Sequence, residues 1–278
     1  MESIKAEQSN VNLEPWNTMQ IAFAFHSKDQ DIIFNQVNNS EIDWTICKKL
    51  GIPIWLKETE KLKQIIEGVA KTVYRRAADD VGLNSRAATT ALWYIVIDKK
   101  SILCNLYRTE PNNKRIFDLL SNDFSEQRWQ KAADKNAMVL VSKKNYELGI
   151  AFFLLAGKIK DALAVAIGKM KDINLAILIA RLVDGYESDS LYGLIDKYFI
   201  DEGKDMDDPW LVSIGYWWKK QYFDSINTLS SMIEETKLRL SRCVFNREKK
   251  FNLYRENAVI KNSYEKTDDS RYKEYVNV

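Results

Sequence analysis

The chain has 278 residues, 46% of them hydrophobic and 29% charged, with a formal net charge of +2 at pH 7. That length supports a substantial core in one large or two modest domains, and the near-neutral balance removes any bulk electrostatic drive toward nucleic acid or an anionic membrane. Only 10 Gly and 4 Pro are present, which disfavours a turn-rich β architecture.

Residues 1–14 read as a polar, disordered lead. Between 15 and 37 the runs IAFAF and DIIF fit short strands or short helices, because apolar runs of that length do not decide. Ser40 opens a clearer helix to residue 50, which Gly51 ends through a left-handed cap, and GIPIW then makes a short bend. A long charged helix over 58–78 carries Leu62, Ile65, Ile66, Val69 and Val73 at helical spacing. The next, over 85–98, is capped by Asn84 or Ser85 and presents Ala87, Ala88 and Ala91 for close packing. A short helix follows through Leu103 and Leu106, and EPNN at 110–113 is the strongest turn signal in the middle of the chain.

Residues 121–185 are the most informative part. Ser125 caps a helix over 126–141, and three more run over 146–156, 159–169 and 173–183. Gly157 and Gly185 close two of them, and Asp172 opens the last. In that last helix Leu175, Leu178, Ile179 and Leu182 form a stripe flanked by Ala176, Ala180 and Val183, the pattern of a helix covered on more than one side. Short helices in series cannot bury their stripes alone. The expected fold is therefore all-α, an α-solenoid of stacked antiparallel helix pairs. Residues 202–208 read as an acidic turn, and Asp208-Pro209 starts a helix to 219 that carries Trp210, Trp217 and Trp218. A helix over 222–233 pairs with it across a short link. The charge-rich residues 234–278 read as a partly helical tail, so the expected organisation is a lead, a helical domain over 15–233 and that tail.

Little here points to chemistry. Cys47, Cys104 and Cys243 lie far apart, which argues against a disulfide framework or a zinc site and for a reducing compartment. His26 is the only histidine, and no motif surrounds it. No glycine-rich phosphate loop occurs. Adjacent carboxylates such as Asp79 and Asp80 diverge on a helix and do not converge on one substrate atom. The expectation is no catalytic residue, no cofactor and no metal. The start MESIKAEQSN is not a secretory signal, and no apolar run approaches the roughly 18 residues of a membrane span. Two features suggest a protein-binding surface. Arg128, Lys131 and Lys135 recur at i, i+3 and i+7, a row of one sign on one helix face. Trp217 and Trp218 are consecutive and point to different sides of their helix, so at least one is expected in an inter-helix groove or on a binding surface, where Trp serves as an anchor; core packing of both is the competing reading.

The segment SNDFSEQRWQKAADKNAMVLVSKKNYELGIAFFLLAGKIKDALAVAIGKMKDINLAILIARL resembles the C-terminal region of the DmX/rabconnectin-3α proteins, the metazoan counterparts of the large subunit of the fungal RAVE complex. Earlier pieces agree in order: IAFAFHSKDQD, DWTICKKLGIPIWL, LKQIIEGVAKTVYRR and ALWYIVIDKKSILCNLYR; DPWLVSIGYWWKKQYFDSINTL agrees after it. The resemblance spans about residues 16–233. It implies a non-catalytic helical scaffold that promotes assembly of the vacuolar-type proton ATPase. The partners implied are the pump's cytosolic-sector subunits and other RAVE-type subunits, and the location is cytoplasmic, peripheral to endosomal or vacuolar membranes. Family members carry WD-repeat propellers ahead of this region, and this chain shows none, so a truncated paralogue without assembly activity stands as an alternative. So does a helical-repeat adaptor in vesicle trafficking.

Overall fold

The computed structural model describes residues 14–38, 41–77, 85–110 and 114–232. They form an all-α fold, with no strand among the described residues. The chain divides into two compact units, Met1–Ser225 and Ile226–Val278. Of the second, the described residues are 226–232, which are helical.

The ambiguous N-terminal runs are helices. α1 (Thr18–His26) starts at a reciprocal cap: the Asn17 side chain accepts from the Gln20 N–H at 2.9 Å, and Gln20 Oε1 accepts from the Asn17 N–H at 3.0 Å. α2 is Asp31–Asn38. Gln30, just before it, donates to the Ala24 and Trp55 carbonyls and accepts from the Lys57 N–H, so one amide joins three segments. α3 (Trp44–Lys49) begins later than the sequence suggests, because Asp43 supplies the cap by accepting from the Ile46 N–H at 2.9 Å. Ser40 lies outside the described residues. Gly51, at φ +61°, ends α3 as expected. The residues after it form a one-turn helix, α4 (Ile52–Trp55), where a bend is expected. Pro53 fits its first turn because the missing N–H has no intrahelical partner there.

α5 (Thr59–Arg76), α6 (Arg86–Val96) and α7 (Lys100–Thr109) follow the predicted periodicity, with Ser85 as the cap of α6. Residues 78–84 and the turn at 111–113 lie outside the described residues. α8 (Lys114–Leu120) has no counterpart among the predicted elements: at under two turns it shows no period, and it is held by packing on α7. α9 (Gln127–Ser142), α10 (Tyr146–Leu155), α11 (Ile159–Gly168) and α12 (Ile173–Ile179) sit close to their expected bounds. Ser125 does not cap α9; Glu126 holds that place, and the Ser125 N–H donates to Asp123 Oδ1 at 2.8 Å.

α12 runs on into a π-helical turn, Ala180–Asp184. A π turn adds a residue and rotates the side chains beyond it. Arg181 is buried while Val183 is exposed, so the predicted flank of the apolar stripe is broken there. α13 (Asp189–Ile195), a second π turn (Asp196–Asp201) and α14 (Glu202–Asp205) fill a stretch with no clear sequence signal. The acidic turn expected at 202–208 is thus helical through 205. α15 (Pro209–Trp218) begins as predicted, with Asp208 accepting from the Leu211 N–H at 3.1 Å. Residues 222–232 are helical.

The core centres on α10. Its residues 148–154 are all buried, because α6, α9 and α11 cover it on separate sides. Contacts distant in sequence close the fold: α1 packs on α15, and α4 on α12. Asp172 adds a tie between α12 and α3. It caps α12, accepts from Trp44 Nε1 at 2.8 Å and pairs with Lys48 at 3.3 Å.

The links between helices share one device. Asp98, Lys144, Gly157, Asp207 and Lys220 each adopt positive φ, between 53° and 69°. In each case the next N–H reaches back five residues: Lys99 to Tyr94, Asn145 to Leu140, Lys158 to Phe153, Asp208 to Gly203 and Gln221 to Tyr216, at 2.8–2.9 Å. This pairing satisfies carbonyls that a helix end otherwise leaves bare and reverses the chain within three residues. Four of these five positions lack glycine. Lys144→Gly should therefore raise stability by up to about 1 kcal/mol, since a side chain at positive φ costs about that much. A urea midpoint at or below wild type would contradict the strain argument.

Candidate functional site

Two surfaces carry the residues singled out in the sequence. The first is the outer face of α9. Ala133 and Ala137 are fully buried on its inner face, with Trp129 and Ala132 half-buried beside them. Opposite stand Arg128, Lys131 and Lys135, all exposed, so the structure brings the three cations onto one face. The Arg128 guanidinium lies 4.6 Å from the Trp129 ring and pairs with Glu126 at 2.9 Å. Lys131 and Lys135 pair with no carboxylate among the described residues. Asp134 is the one acid within α9. It turns inward and pairs with Lys158 at 3.1 Å, which leaves Lys131 and Lys135 uncompensated among the described residues. The row continues into Met138 and Val139, 54% and 51% exposed, which the sequence pattern alone did not single out.

The second surface is the seam where α1 meets α15. The structure separates the two tryptophans there. Trp218 is 2% exposed and enclosed by Phe25, Tyr186 and Phe199, with ring centroids 5.6, 5.3 and 6.2 Å away. It is a core residue and offers no surface. Trp217 is half-buried and stands edge-on to His26 at 4.8 Å and to Tyr222 at 4.7 Å. Phe23, one turn before His26, is 62% exposed against Trp210 at 5.5 Å, and Phe223 is 76% exposed. Trp217 is therefore the member of the pair with access to an exposed aromatic rim.

Two buried polar groups adjoin the seam. The Arg181 guanidinium donates to the carbonyls of Pro53, Leu56 (2.8 Å) and Lys57 (3.3 Å) and faces the rings of Tyr186 and Trp218 at 5.3 and 5.4 Å. No carboxylate pairs with it among the described residues, and burial lowers its pKa to about 10. It stays charged at neutral pH on carbonyl dipoles and ring faces alone.

His26 is the other. Its Nε2 has no hydrogen-bond partner among the described residues, and burial, with help from the Lys57 charge, lowers its pKa below the ordinary 6.5. The unfolded chain takes up this proton near 6.5, whereas the folded chain does so only at lower pH. The contribution is flat above 6.5, and stability falls as pH drops from there toward the folded value. Wild type should therefore lose more thermal stability than His26→Phe between about pH 7.5 and 5.5. Equal losses would mean that the imidazole does not report on this seam.

The arrangement suits binding more than chemistry. Among the described residues no three His, Cys, Asp or Glu side chains converge. Burial pushes the Cys47 thiol far above its ordinary value and raises that of Cys104. A thiol so shifted is a weak nucleophile at neutral pH. No helix among the described residues is long and apolar enough to cross a membrane.

Residues 2–269 match the family described as RAVE protein 1 C terminal. The human DmX-like protein 1 is 30% identical over 243 residues, which cover 82% of this chain and 8% of the relative. The regulator of V-ATPase in vacuolar membrane protein 1 of Schizosaccharomyces pombe is 31% identical over 222 residues, 78% of this chain and 17% of the relative. The protein of the same name in Saccharomyces cerevisiae is 31% identical over 218 residues, 77% and 16%. Both fungal relatives are thus named as regulators, and the chain spans less than a fifth of the length of the relatives it matches. With a match over nearly its whole length, the chain belongs to the RAVE protein 1 C-terminal family.

Proposed function

We propose that this chain is a non-catalytic helical scaffold of the RAVE type, which promotes or modulates assembly of the vacuolar-type proton ATPase and so organelle acidification. The observation that carries the reading is the similarity to two fungal regulators of V-ATPase along more than three quarters of the chain. In this reading residues 15–233 are a solenoid of stacked helix pairs, followed by a charged tail. The partners are cytosolic-sector subunits of the pump and other RAVE-type subunits. The chain is cytoplasmic and reaches endosomal or vacuolar membranes only through them. The outer face of α9, with Arg128, Lys131 and Lys135, is the first contact surface, and the rim around Trp217 is the second.

Charge reversal of Arg128, Lys131 and Lys135 tests both the function and the surface. Helicity and melting temperature should stay close to wild type, because exposed charges contribute little to folding. Capture of cytosolic-sector subunits should weaken, and the difference should be larger at low salt, where screening is least. Unchanged capture by a folded triple variant would exclude the α9 face, and substitution of Trp217 then becomes the decisive variant. Recovery of vesicle-coat subunits in place of pump subunits would overturn the assembly reading.

A further inference from the structure

The outer face of α9 has an order along its length as well as a charge. With about 100° of rotation per residue, Arg128, Lys131, Lys135, Met138, Val139 and Ser142 fall opposite the buried Ala133 and Ala137, and all six are exposed. Positions 128, 131, 135, 138 and 142 advance alternately by three and four, the spacing at which one helix meets another along a seam. The first half of this stripe is cationic. The second half is led by Met138 and Val139, each more than half exposed. The carboxylate of Asp134, one turn from Lys131, is held away by Lys158, so Lys131 and Lys135 are left without a carboxylate among the described residues, while Arg128 pairs with Glu126 at the start of the helix. The helix is also firmly seated. Gly149 of α10 lies so close that a Cβ there would come within 2.7 Å of Val141 Cγ2. A face held from behind presents its side chains at fixed spacing, which lowers the ordering cost of docking.

We propose that the outer face of α9 receives an acidic amphipathic helix of a partner protein, with carboxylates against Arg128, Lys131 and Lys135 and apolar side chains against Met138 and Val139. This deepens the scaffold reading above and rests on it for the role of the contact. Charge complementarity sets the acidic half of the occupant, and the two exposed apolar side chains set the other half. A bilayer surface fits less well, because membrane-surface helices carry apolar residues along their whole length with cations on the flanks. Here cationic and apolar turns succeed one another along the axis. A phosphate backbone supplies nothing for the apolar turns.

The probes are synthetic helical peptides of about three heptads, each fluorescently labelled and titrated against the full chain by anisotropy. One carries Glu at the seam positions of one half and Leu at those of the other; a second has the two halves exchanged; a third has Lys for every Glu. One of the two Glu peptides should bind, and the Lys peptide should not. Reversal of the three cations to Glu should weaken binding of that Glu peptide at least tenfold and create binding of the Lys peptide. Lys131→Gln with Lys135→Gln gives the same direction with less perturbation, should the triple reversal fold poorly. Met138→Ala with Val139→Ala should weaken binding without changing its salt dependence. Equal binding of Glu and Lys peptides, or no peptide binding, would overturn the inference. So would preference of the chain for vesicles of phosphatidylcholine with phosphatidylserine over every peptide. Absence of peptide binding while pump-subunit capture still depends on the three cations would sink the helix inference and leave the scaffold reading standing. Charge-dependent peptide binding with pump capture unaffected would support the helix and sink the assembly role of this face.

Discussion

Arg181→Ala should lower the unfolding free energy by about 3 kcal/mol or more, read as a fall in the urea midpoint with an unchanged slope. The guanidinium bonds three buried carbonyls, those of Pro53, Leu56 and Lys57, on a segment more than a hundred residues away. Each acceptor left without a donor costs about 1–3 kcal/mol, and each lost ring contact, to Tyr186 and Trp218, about 0.5–2 kcal/mol. Removing a desolvated charge acts in the opposite direction, since an unpaired buried ion is itself costly. The loss of donors wins because the three carbonyls lie out of reach of bulk solvent, in a site where Arg181 is 5% exposed. Arg181→Lys should be intermediate, because an ammonium cannot fan out to three separated carbonyls and two rings as a planar fork does. Arg181→Met should also be intermediate, filling the volume without the hydrogen bonds. If Arg181→Ala unfolds within about 0.5 kcal/mol of wild type, below the usual cost of one orphaned acceptor, the joint between α4 and the π turn after α12 does not depend on this residue.

A second large effect is expected at Gly215, with the opposite sign at Gly193. A Cβ on Gly215 would lie 2.8 Å from Ile200 Cγ1 and 3.0 Å from Phe199 Cβ. Both residues belong to the π turn Asp196–Asp201, which packs directly on α15. Phe199 Cβ is fixed to its backbone and has little room to retreat. Gly215→Ala should therefore destabilise by about 1–3 kcal/mol through overpacking, although alanine is the better helix former by about 1 kcal/mol. Gly193 has nothing within 4 Å of the same added atom. It sits exposed within α13, so Gly193→Ala should stabilise by about 0.5–1 kcal/mol. Thermal melts of the two variants should move in opposite directions. A rise for both would mean that helix propensity outweighs packing at Gly215, and a fall for both would contradict the propensity argument at Gly193.

The two surfaces differ in how far they were legible. The cationic row on α9 was readable because its cause is local: three residues at helical spacing on a helix whose period is plain. Its extension through Met138 and Val139 was present in the same pattern. Only the burial of Ala133 and Ala137 on the far side showed those two residues to be outward. The tryptophan pair was half legible. Consecutive positions guarantee divergent directions, but which ring enters the core depends on α1, which supplies Phe25 to Trp218 and His26 to Trp217 from nearly two hundred residues away.

By itself the sequence determined the helical class, most helix starts and the family, because periodicity, side-chain caps such as Ser85, Asp172 and Asp208, and collinear motifs are local properties of the chain. The short helices were beyond it. The N-terminal runs were ambiguous, and α8, α13 and α14 are too short to show a period and exist because neighbours cover them. Helix ends were only partly legible, since Asp98, Lys144, Asp207 and Lys220 adopt a conformation that composition associates with glycine. The tertiary structure alone decided the placement of Arg181. It lies buried in a π turn, and carbonyls from a distant segment make a buried charge tolerable there. Such a site depends on register and on contacts distant in sequence, neither of which a local pattern contains.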